Sequence, residues 1–358
     1  MQKPPSYDGN GLANLISELE LRLTGNSQSP GLGAADLIPS AETYVLVLFD
    51  GLGVAQLQHP AARSLSAAMT GQIEAPFPTT TSVSLSTIAT GLMPSQHGQV
   101  AHLMWMEDLG KVVNTLKWVT MTGEPVSYDY GALLPKPNLW ERLRAAGVEP
   151  ITVQPGDFTG SPLTRTLYRG ARFEGAWNVE DLIAATAQLA GEPNRLIFTY
   201  VPHVDFAGHV FGLESAEFTD AITTAVSVWE GIAAALPLTA ALIGTADHGL
   251  LEFSEQQKQL VRDPRFGDLR LAGDTRGIHM WGEQALMVDL AELTGGDLVD
   301  PLTLIGPEPT ELTRSRLGEY LLLSPHGKAV IPRGFDKRLR CYHGGLTADE
   351  VEIPILVA

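Results

Sequence analysis

The chain has 358 residues, of which 44 % are hydrophobic and 18 % are charged, and its formal net charge is −17. This composition is typical of a globular protein and excludes a disordered chain, and the negative charge argues against nucleic acid or an anionic membrane as the main partner. The single cysteine, Cys341, excludes an internal disulfide framework and a cysteine-based zinc finger.

The start of the chain and its hydropathy bear on location. Residues 1–10 contain no apolar core of a signal peptide. No apolar run in the sequence approaches the roughly 20 residues that are needed to span a bilayer. We therefore expect a cytoplasmic protein without a membrane partner, and the sequence leaves its oligomeric state open.

Apolar runs that suit buried strands alternate with segments of helical spacing. The run at 43–49 is continuous, β-branched and aliphatic, as in a strand buried on both faces of a parallel sheet. Similar runs lie at 149–153, 195–201, 240–245 and 351–357, and helical segments lie at 11–24, 137–146, 178–191 and 216–235. The alternation predicts an α/β fold with a mostly parallel central sheet that is flanked by helices on both faces.

Residues 251–335 differ in texture from the rest of the chain. They are richer in charges and turns, and they carry short elements of their own at 279–290, 320–324 and 329–331. We predict a small cap subdomain here. It would be inserted into a catalytic domain that is formed by residues 1–250 and 336–358.

Carboxylates follow three of the predicted strands. Asp50 comes directly after the 43–49 run, Asp205 follows the 195–201 run, and Asp247 follows the 240–245 run. Each acid by itself is typical of a helix cap or a turn. In open parallel sheets, however, ligands bind beyond the carboxyl ends of the strands, so we expect these three side chains to meet there.

Histidines accompany these acids. His209 lies four residues after Asp205, which puts both on one face of a helix, and His248 is adjacent to Asp247. His343 lies in a His-Gly-Gly segment near the end of the chain. Anionic oxygen and neutral imidazole nitrogen are ligands of divalent metals, and the set predicts a two-metal enzyme of phosphoryl transfer. Five of the other six histidines show no ligand-like spacing and are interpreted as structural: His59, His97, His102, His203 and His279.

A run of threonines precedes a predicted helix over 82–90. The segment Phe77-Pro-Thr-Thr-Thr places hydroxyls at the helix start, where unpaired N–H groups favour a phosphate or an alkoxide. Simple N-capping is the competing interpretation. A metal ion can lower the pKa of a hydroxyl, so this run holds a candidate nucleophile. Spacing alone does not choose among Thr79, Thr80 and Thr81.

Taken together, these motifs resemble those of the alkaline phosphatase superfamily and, within it, the type I phosphodiesterase/nucleotide pyrophosphatase group. The similar pieces fall in family order over residues 43–357 and are Leu-Phe-Asp50-Gly, Phe77-Pro-Thr-Thr-Thr81, Asp205-x-x-Gly208-His209, Thr-Ala-Asp247-His248-Gly249 and His343-Gly-Gly. The resemblance implies two divalent ions, with zinc expected first and manganese as the alternative. It implies one ion held by Asp50, Asp247 and His248, with Thr81 as the nucleophile and a further ligand there. It implies a second ion held by Asp205, His209 and His343.

The chain departs from the family pattern after the threonine run. The group usually continues with Phe-Pro-Asn, whose Asn contacts a phosphate oxygen, whereas this chain has Ser82-Val83-Ser84. We predict that Ser84 donates one hydrogen bond to the substrate and that Asn114 supplies the missing amide. No arginine lies near the Thr81 helix in sequence, which favours diesters over the more highly charged monoesters.

The activity implied by the resemblance is hydrolysis of a small phosphodiester or pyrophosphate, with no nucleic-acid polymer as substrate. A phosphomonoesterase or phosphonate hydrolase of the same superfamily is the alternative, and it would need cationic contacts from the cap, such as Arg270 or Arg276. A non-catalytic metal-binding homologue is the second alternative, because the Ser82–Ser84 departure affects the segment next to the nucleophile.

Overall fold

The structure, a computed structural model, describes residues 4–358. Strands in this range, numbered along the chain, are β1 (Thr43–Phe49), β2 (Met69–Glu74), β3 (Leu103–Met106), β4 (Lys111–Asn114), β5 (Val119–Thr120), β6 (Glu149–Pro155), β7 (Arg172–Ala176), β8 (Arg195–Val201), β9 (Ala240–Thr245), β10 (Leu251–Glu252), β11 (Lys258–Leu260), β12 (Arg270–Asp274), β13 (Gly277–Trp281), β14 (Asp297–Val299), β15 (Tyr320–Leu323), β16 (Ala329–Ile331), β17 (Cys341–Tyr342) and β18 (Glu352–Val357). The α-helices are α1 (Leu12–Thr24), α2 (Arg63–Ala67), α3 (Thr81–Thr90), α4 (Pro94–His97), α5 (Leu139–Ala145), α6 (Pro162–Leu167), α7 (Val179–Leu189), α8 (His203–Phe211), α9 (Ala216–Ala235), α10 (Gln284–Thr294), α11 (Glu311–Arg316) and α12 (Ala348–Val351).

The main sheet has the strand order β2-β18-β9-β1-β8-β6-β7. The pairs β9-β1, β1-β8, β8-β6 and β6-β7 are parallel, and β18 runs antiparallel to both of its neighbours. Every residue of β1 is buried. Because successive side chains of a strand point to opposite faces, both faces of the sheet must be covered. The predicted α/β class, with a mostly parallel sheet between helices, is confirmed.

The helices around the main sheet pack in two groups. In one group α1, α3 and α5 contact one another, and in the other α9 contacts α7 and α8. Helix α3 is buried along its whole length, so it lies inside the domain rather than on its surface. It ends where predicted, because Gly91 adopts a left-handed φ of 67° and its N–H caps the carbonyl of Thr87.

The three central strands end level with one another. In the sheet register Phe49 pairs with Val201, and Leu48 pairs with Thr245. The loops that follow β1, β8 and β9 therefore leave the same edge of the sheet side by side. This edge is where the sequence predicts the functional side chains to meet.

A second sheet has the order β14-β15-β13-β12-β3-β4-β5 and is built from antiparallel pairs. Four of these strands come from the predicted cap at 251–335, but β3, β4 and β5 come from residues 103–120. The two segments join where Leu103 pairs with Gly273, and the apolar side chains of Met104 and Val113 pack with those of β15. We propose that both segments form one small domain. Among the described helices, none is long and apolar enough to cross a membrane.

Candidate functional site

Two groups of candidate metal-ligand residues lie at the carboxyl edge of the main sheet. Within each group the candidate ligand atoms all lie within 4.8 Å of one another. The first group is Asp50, Asp247 and His248, and the second is Asp205, His209 and His343. These are the six carboxylate and imidazole residues that the sequence singles out.

The first group is held by the loops after β1 and β9. Asp247 Oδ1 accepts hydrogen bonds from the backbone N–H groups of Gly51 and His248, both at 3.0 Å. The hydroxyl of Tyr200 donates to Asp50 Oδ2. The other oxygens, Asp50 Oδ1 and Asp247 Oδ2, are buried without a hydrogen-bond donor among the described residues. Each carboxylate therefore has one anchored oxygen and one oxygen that is free for a cation.

The second group combines helix α8 with the segment after β17. One turn of α8 separates Asp205 from His209, and His209 Nε2 lies 3.2 Å from Asp205 Oδ1. His343 reaches the same oxygen from the other side, with its Nε2 at 3.9 Å. The close approach of β1 to α8 depends on Gly51, whose φ is 74° and whose missing Cβ would lie 2.9 Å from the Cα of Asp205.

All three histidines of the two groups have the same hydrogen-bonding arrangement. Each Nδ1 lies near a backbone carbonyl oxygen, at 2.7 Å in His209, 2.8 Å in His343 and 3.2 Å in His248. A carbonyl oxygen only accepts hydrogen bonds, so Nδ1 carries a proton, and in the neutral form of each ring Nε2 keeps its lone pair. This is the usual arrangement of metal-binding histidines. Together with the free carboxylate oxygens, the donor set fits two divalent cations.

Burial and mutual repulsion shift the pKa values of several residues in the two groups. Burial raises the pKa of Asp50 well above its ordinary value, and repulsion from Asp247 and Asp205 adds to the effect. Burial also acts to raise the pKa of Asp205, but attraction to His209 outweighs it and leaves this pKa below its ordinary value. For His343 the direction is opposite, because burial disfavours the charged imidazolium and so lowers its pKa, and repulsion from His248 lowers it further. Bound cations would relieve the repulsion among the carboxylates.

Of the three threonines, Thr81 has its hydroxyl at the ligand groups. Thr81 is the first residue of α3, and its Oγ1 lies 3.2 Å from His248 Nε2. Thr80 instead donates to Asp274 Oδ1 at 3.3 Å, and Thr79 donates to a backbone carbonyl at 3.0 Å. The structure thus separates three hydroxyls that spacing alone left equivalent.

Ser84 and Asn114, the predicted substrate contacts, have partners within the protein. Ser84 is fully buried and donates to the carbonyl oxygen of Asp247 at 2.7 Å. Asn114 Oδ1 accepts two backbone N–H groups, and its Nδ2 lies 3.0 Å from His102 Nε2. Direct contact of either residue with a substrate stays a prediction.

The cap arginines named above do not face the two ligand groups. Arg276 is buried, and its guanidinium pairs with Glu350 at 3.1 Å. Arg270 lies over the ring of Trp105, with its guanidinium carbon 3.7 Å from the ring centroid. The Arg276 cation is thus paired with a residue of α12, and the Arg270 cation packs against β3 of the second sheet.

A cleft with a volume of about 120 Å³ opens beside the second ligand group. His209 and His343 form part of its wall, and the other side chains that line it are His102, Leu103, Asp274, Thr275, Phe335, Asp336, Leu339 and Tyr342. Burial raises the pKa of Asp274 to about 7, although hydrogen bonds from the His102 N–H and the Thr80 hydroxyl oppose this shift. No sequence pattern points to Asp274, and spacing indicates a structural role for His102, because neither residue shows ligand spacing or follows a strand of the main sheet.

Comparison with known proteins places this site in a family. The family model described as type I phosphodiesterase / nucleotide pyrophosphatase matches residues 44–280. No curated protein matches the sequence.

Several solved structures share the fold. Murine ectonucleotide pyrophosphatase / phosphodiesterase 5, as an inactive variant in complex with AMP, aligns with a TM-score of 0.64, 18 % identity and 87 % coverage of each chain. The human protein of the same name gives a TM-score of 0.65, 18 % identity, and coverage of 88 % of this chain and 87 % of that one. Phosphonoacetate hydrolase from Sinorhizobium meliloti 1021, in complex with phosphonoacetate, aligns with a TM-score of 0.63 and 18 % identity. The alignment covers 89 % of this chain and 91 % of that one.

At this identity the structural matches establish an alkaline-phosphatase-like fold. The family model adds more, because it matches well over half of the chain and the matched segment carries five of the six candidate metal ligands. The chain belongs to the type I phosphodiesterase / nucleotide pyrophosphatase family of the alkaline phosphatase superfamily.

Proposed function

We propose that this protein hydrolyses small phosphodiesters or pyrophosphates, using Thr81 as its nucleophile and two zinc ions as its cofactors. The observation that carries the proposal is the position of the Thr81 hydroxyl, 3.2 Å from His248 Nε2 and at the start of α3. A hydroxyl in this position is next to one ligand group and has the second group close by. Family membership supports the hydrolase class.

The residues of each ligand group would hold one ion. Asp50, Asp247 and His248 would hold the ion nearest Thr81, and the group around Asp205 would hold the other. When bound, the ions supply a lowered pKa for the Thr81 hydroxyl and positive charge that offsets the charge on the phosphate oxygens. Zinc is proposed because two of the three ligands in the second group are imidazole nitrogens, and manganese is the alternative.

The start of α3 also orients the phosphate. No described residue accepts a hydrogen bond from the backbone N–H of Thr81 or Ser82. These groups are among the first N–H groups of a ten-residue helix, where a phosphate oxygen binds favourably. A phosphate bound there would have its phosphorus close to Thr81 Oγ1.

The chemistry would proceed in two displacements. Thr81 Oγ1 loses its proton to solvent and forms a bond to phosphorus, while the bond to the leaving-group oxygen breaks and that oxygen keeps the electron pair. Water then attacks the phosphothreonine, which releases a phosphate monoester from a diester substrate and restores the hydroxyl. Positioning and charge stabilisation supply the rate enhancement.

The charge of the cleft favours diester substrates. It disfavours both monoesters and phosphonates that carry a carboxylate. None of the described residues that line it is lysine or arginine, and Asp274 and Asp336 contribute carboxylates. The extra negative charge of a monoester, or the carboxylate of phosphonoacetate, would therefore find no cationic partner there except the metal ions.

The test is turnover on protein whose metals have been counted. We would compare bis-p-nitrophenyl phosphate, p-nitrophenyl phosphate and phosphonoacetate, each at several concentrations and with elemental analysis of the same preparation. Two zinc ions per chain and a higher kcat/KM for the diester would support the proposal. A preference for the monoester or for phosphonoacetate would select the alternative activities, and metal-loaded protein without turnover would select a non-catalytic role.

A further inference from the structure

His102 is a cleft residue that belongs to neither ligand group. It lies just before β3 and lines the cleft together with His209 and His343. Its backbone is fixed from both sides, because its N–H donates to Asp274 Oδ2 at 3.3 Å and its carbonyl accepts from the N–H of Thr115 at 3.0 Å. The backbone that carries this ring is therefore held beside the second ligand group.

Asn114 determines which ring nitrogen of His102 carries the proton. Asn114 Oδ1 accepts from the N–H groups of Leu116 and Lys117, at 3.1 Å and 3.0 Å, which fixes the orientation of the amide. Its Nδ2 consequently faces His102 Nε2, at 3.0 Å. An amide nitrogen only donates, so Nε2 accepts and the proton of the neutral ring is on Nδ1.

The Nδ1–H group of His102 has no hydrogen-bond partner among residues 4–358. It is also not among the buried polar atoms that are sealed from solvent. Burial lowers the pKa of His102 to about 4, and repulsion from His209 and Lys117 contributes, so the ring stays neutral near pH 7. The cleft thus contains an oriented neutral donor beside the second ligand group.

The position of Thr81 indicates which substrate atom would meet this donor. Thr81 Oγ1 contacts the first ligand group, whereas the cleft opens at the second group. In an in-line displacement the leaving oxygen lies opposite the attacking oxygen. A phosphate attacked by Thr81 would therefore direct its leaving group toward the cleft and toward His102.

We propose that His102 is a catalytic residue that donates a hydrogen bond from Nδ1–H to the leaving-group oxygen, and that Asn114 is a positioning residue that keeps the proton on Nδ1. This inference rests on the proposed function of the site. As the bond to phosphorus breaks, the leaving oxygen gains negative charge, and the Nδ1–H group stabilises that charge without transferring its proton. The contribution is largest for leaving groups that carry the most charge when they depart, which are those of high pKa.

The test uses a series of diesters with phenol leaving groups of increasing pKa, measured on the metal-loaded full chain. His102→Phe keeps a planar ring of similar size but removes the donor. His102→Asn is the matched control, because its amide nitrogen can take the place of Nδ1. Zinc content and thermal melting of each variant show whether the site and the fold are retained.

We expect His102→Phe to lower kcat/KM by about 10- to 100-fold for the poorest leaving groups and progressively less for better ones, as for a lost hydrogen bond to a charged oxygen. His102→Asn should recover part of that loss. Asn114→Ala should show the same dependence on the leaving group with a smaller loss of about five-fold, because the ring can then bind its proton at either nitrogen.

A loss that is equal for all leaving groups, or no loss, would overturn the inference while leaving the proposed function standing. A His102→Asn variant that behaves like His102→Phe would also overturn it. If the wild-type protein binds two metal ions but hydrolyses none of the diesters, the proposed function itself fails, and this inference fails with it.

Discussion

The rings of His248 and His343 stack with their centroids 3.7 Å apart and their planes 15° apart. One ring belongs to the ligand group near Thr81 and the other to the group that includes Asp205. The two groups are therefore in direct contact through these rings, and a shift of one ring must displace the other. Their contact also explains in part why the pKa of His343 is lowered, since a charge on one buried ring opposes a charge on the other.

Removal of the metal ions should lower thermal stability and abolish turnover. Carboxylates and imidazoles that bind cations only in the folded state add about 3 to 4 kcal/mol of stability when free metal is 100 to 1,000 times its dissociation constant. Melting temperature and turnover should be followed during dialysis against a chelator, with zinc, manganese or magnesium added back. An unchanged melting temperature in protein that elemental analysis shows to be metal-free would contradict the two-metal site.

Thr81→Ala should abolish turnover while zinc content stays near two per chain. The matched control is Thr80→Ala, which loses a hydrogen bond to Asp274 and about 1 kcal/mol of stability but keeps the hydroxyl beside His248. Steady-state turnover and metal analysis of both variants show which threonine is the nucleophile. Loss of activity in Thr80→Ala with retained activity in Thr81→Ala would assign the nucleophile to the neighbouring position.

Gly51→Ala should weaken metal binding and destabilise the protein. The new Cβ would lie 2.9 Å from the Cα and Cβ of Asp205, and the residue would keep a φ of 74°. Gly25→Ala is a suitable control, because Gly25 has a φ of 77° and no atom within 4 Å of the new Cβ. We expect Gly25→Ala to cost about 1 kcal/mol of unfolding free energy, from backbone strain alone, and Gly51→Ala to cost more.

Zinc titration of the two glycine variants supplies the second readout. Only Gly51→Ala should bind zinc more weakly than the wild type, since only its methyl group displaces a ligand residue. Equal zinc affinities in both variants would show that the approach of β1 to Asp205 does not control the site.

Asp274 should make the metal-free protein less stable as the pH rises from about 4 to 7. Its folded-state pKa of about 7 lies above the ordinary value of 3.8, so the unfolded chain binds fewer protons in this interval. The stability that this carboxyl contributes is fully present below about pH 4 and is lost as the pH rises through 7. At 1.4 kcal/mol per pKa unit, the loss is on the order of 4 kcal/mol.

Asp274→Asn removes this titration and keeps groups that can bond to Thr80 and to the N–H of His102. Urea unfolding at several pH values should therefore show a smaller decline in stability for the variant than for the wild type. Parallel pH profiles for the two proteins would contradict the raised pKa.

Ser84→Ala should affect Asp247 rather than the binding of substrate. The Ser84 hydroxyl donates to the Asp247 carbonyl at 2.7 Å, so its loss leaves a buried acceptor without this donor and costs about 1 to 3 kcal/mol. Ser86→Ala is the control on the same helix, because Ser86 bonds only within α3, to the carbonyl of Ser82. We expect weaker zinc binding in Ser84→Ala and an unchanged KM. A raised KM with normal zinc binding would favour the direct substrate contact that the sequence predicts.

Local patterns in the sequence determine the main sheet and the places where its strands end. The runs predicted at 43–49, 195–201 and 240–245 are the strands β1, β8 and β9 with the same bounds. Each is a continuous apolar segment, and burial on both faces of a sheet requires such a segment. Acids that lie within a few residues of the ends of these runs come together, because parallel neighbours end at the same edge.

Tertiary packing decided which threonine hydroxyl faces the site and which strands join the second sheet. The choice among three adjacent threonine hydroxyls depends on which one faces His248, and that follows from the placement of α3 against the loop after β9. Strands β3 to β5 join the second sheet through pairing across about 170 residues, from Leu103 to Gly273, which hydrophobic periodicity cannot reveal.

His102 shows the same limit at the level of one side chain. Its spacing indicates a structural residue, yet in the folded protein it lines the cleft. Its two fixing partners, Asn114 and Asp274, lie 12 and 172 residues away along the chain. Residue type and spacing thus determined which metal-binding chemistry the chain can support. The cleft and its hydrogen-bond donors, in contrast, form only when distant segments pack together, because the direction of a hydrogen bond depends on three-dimensional position.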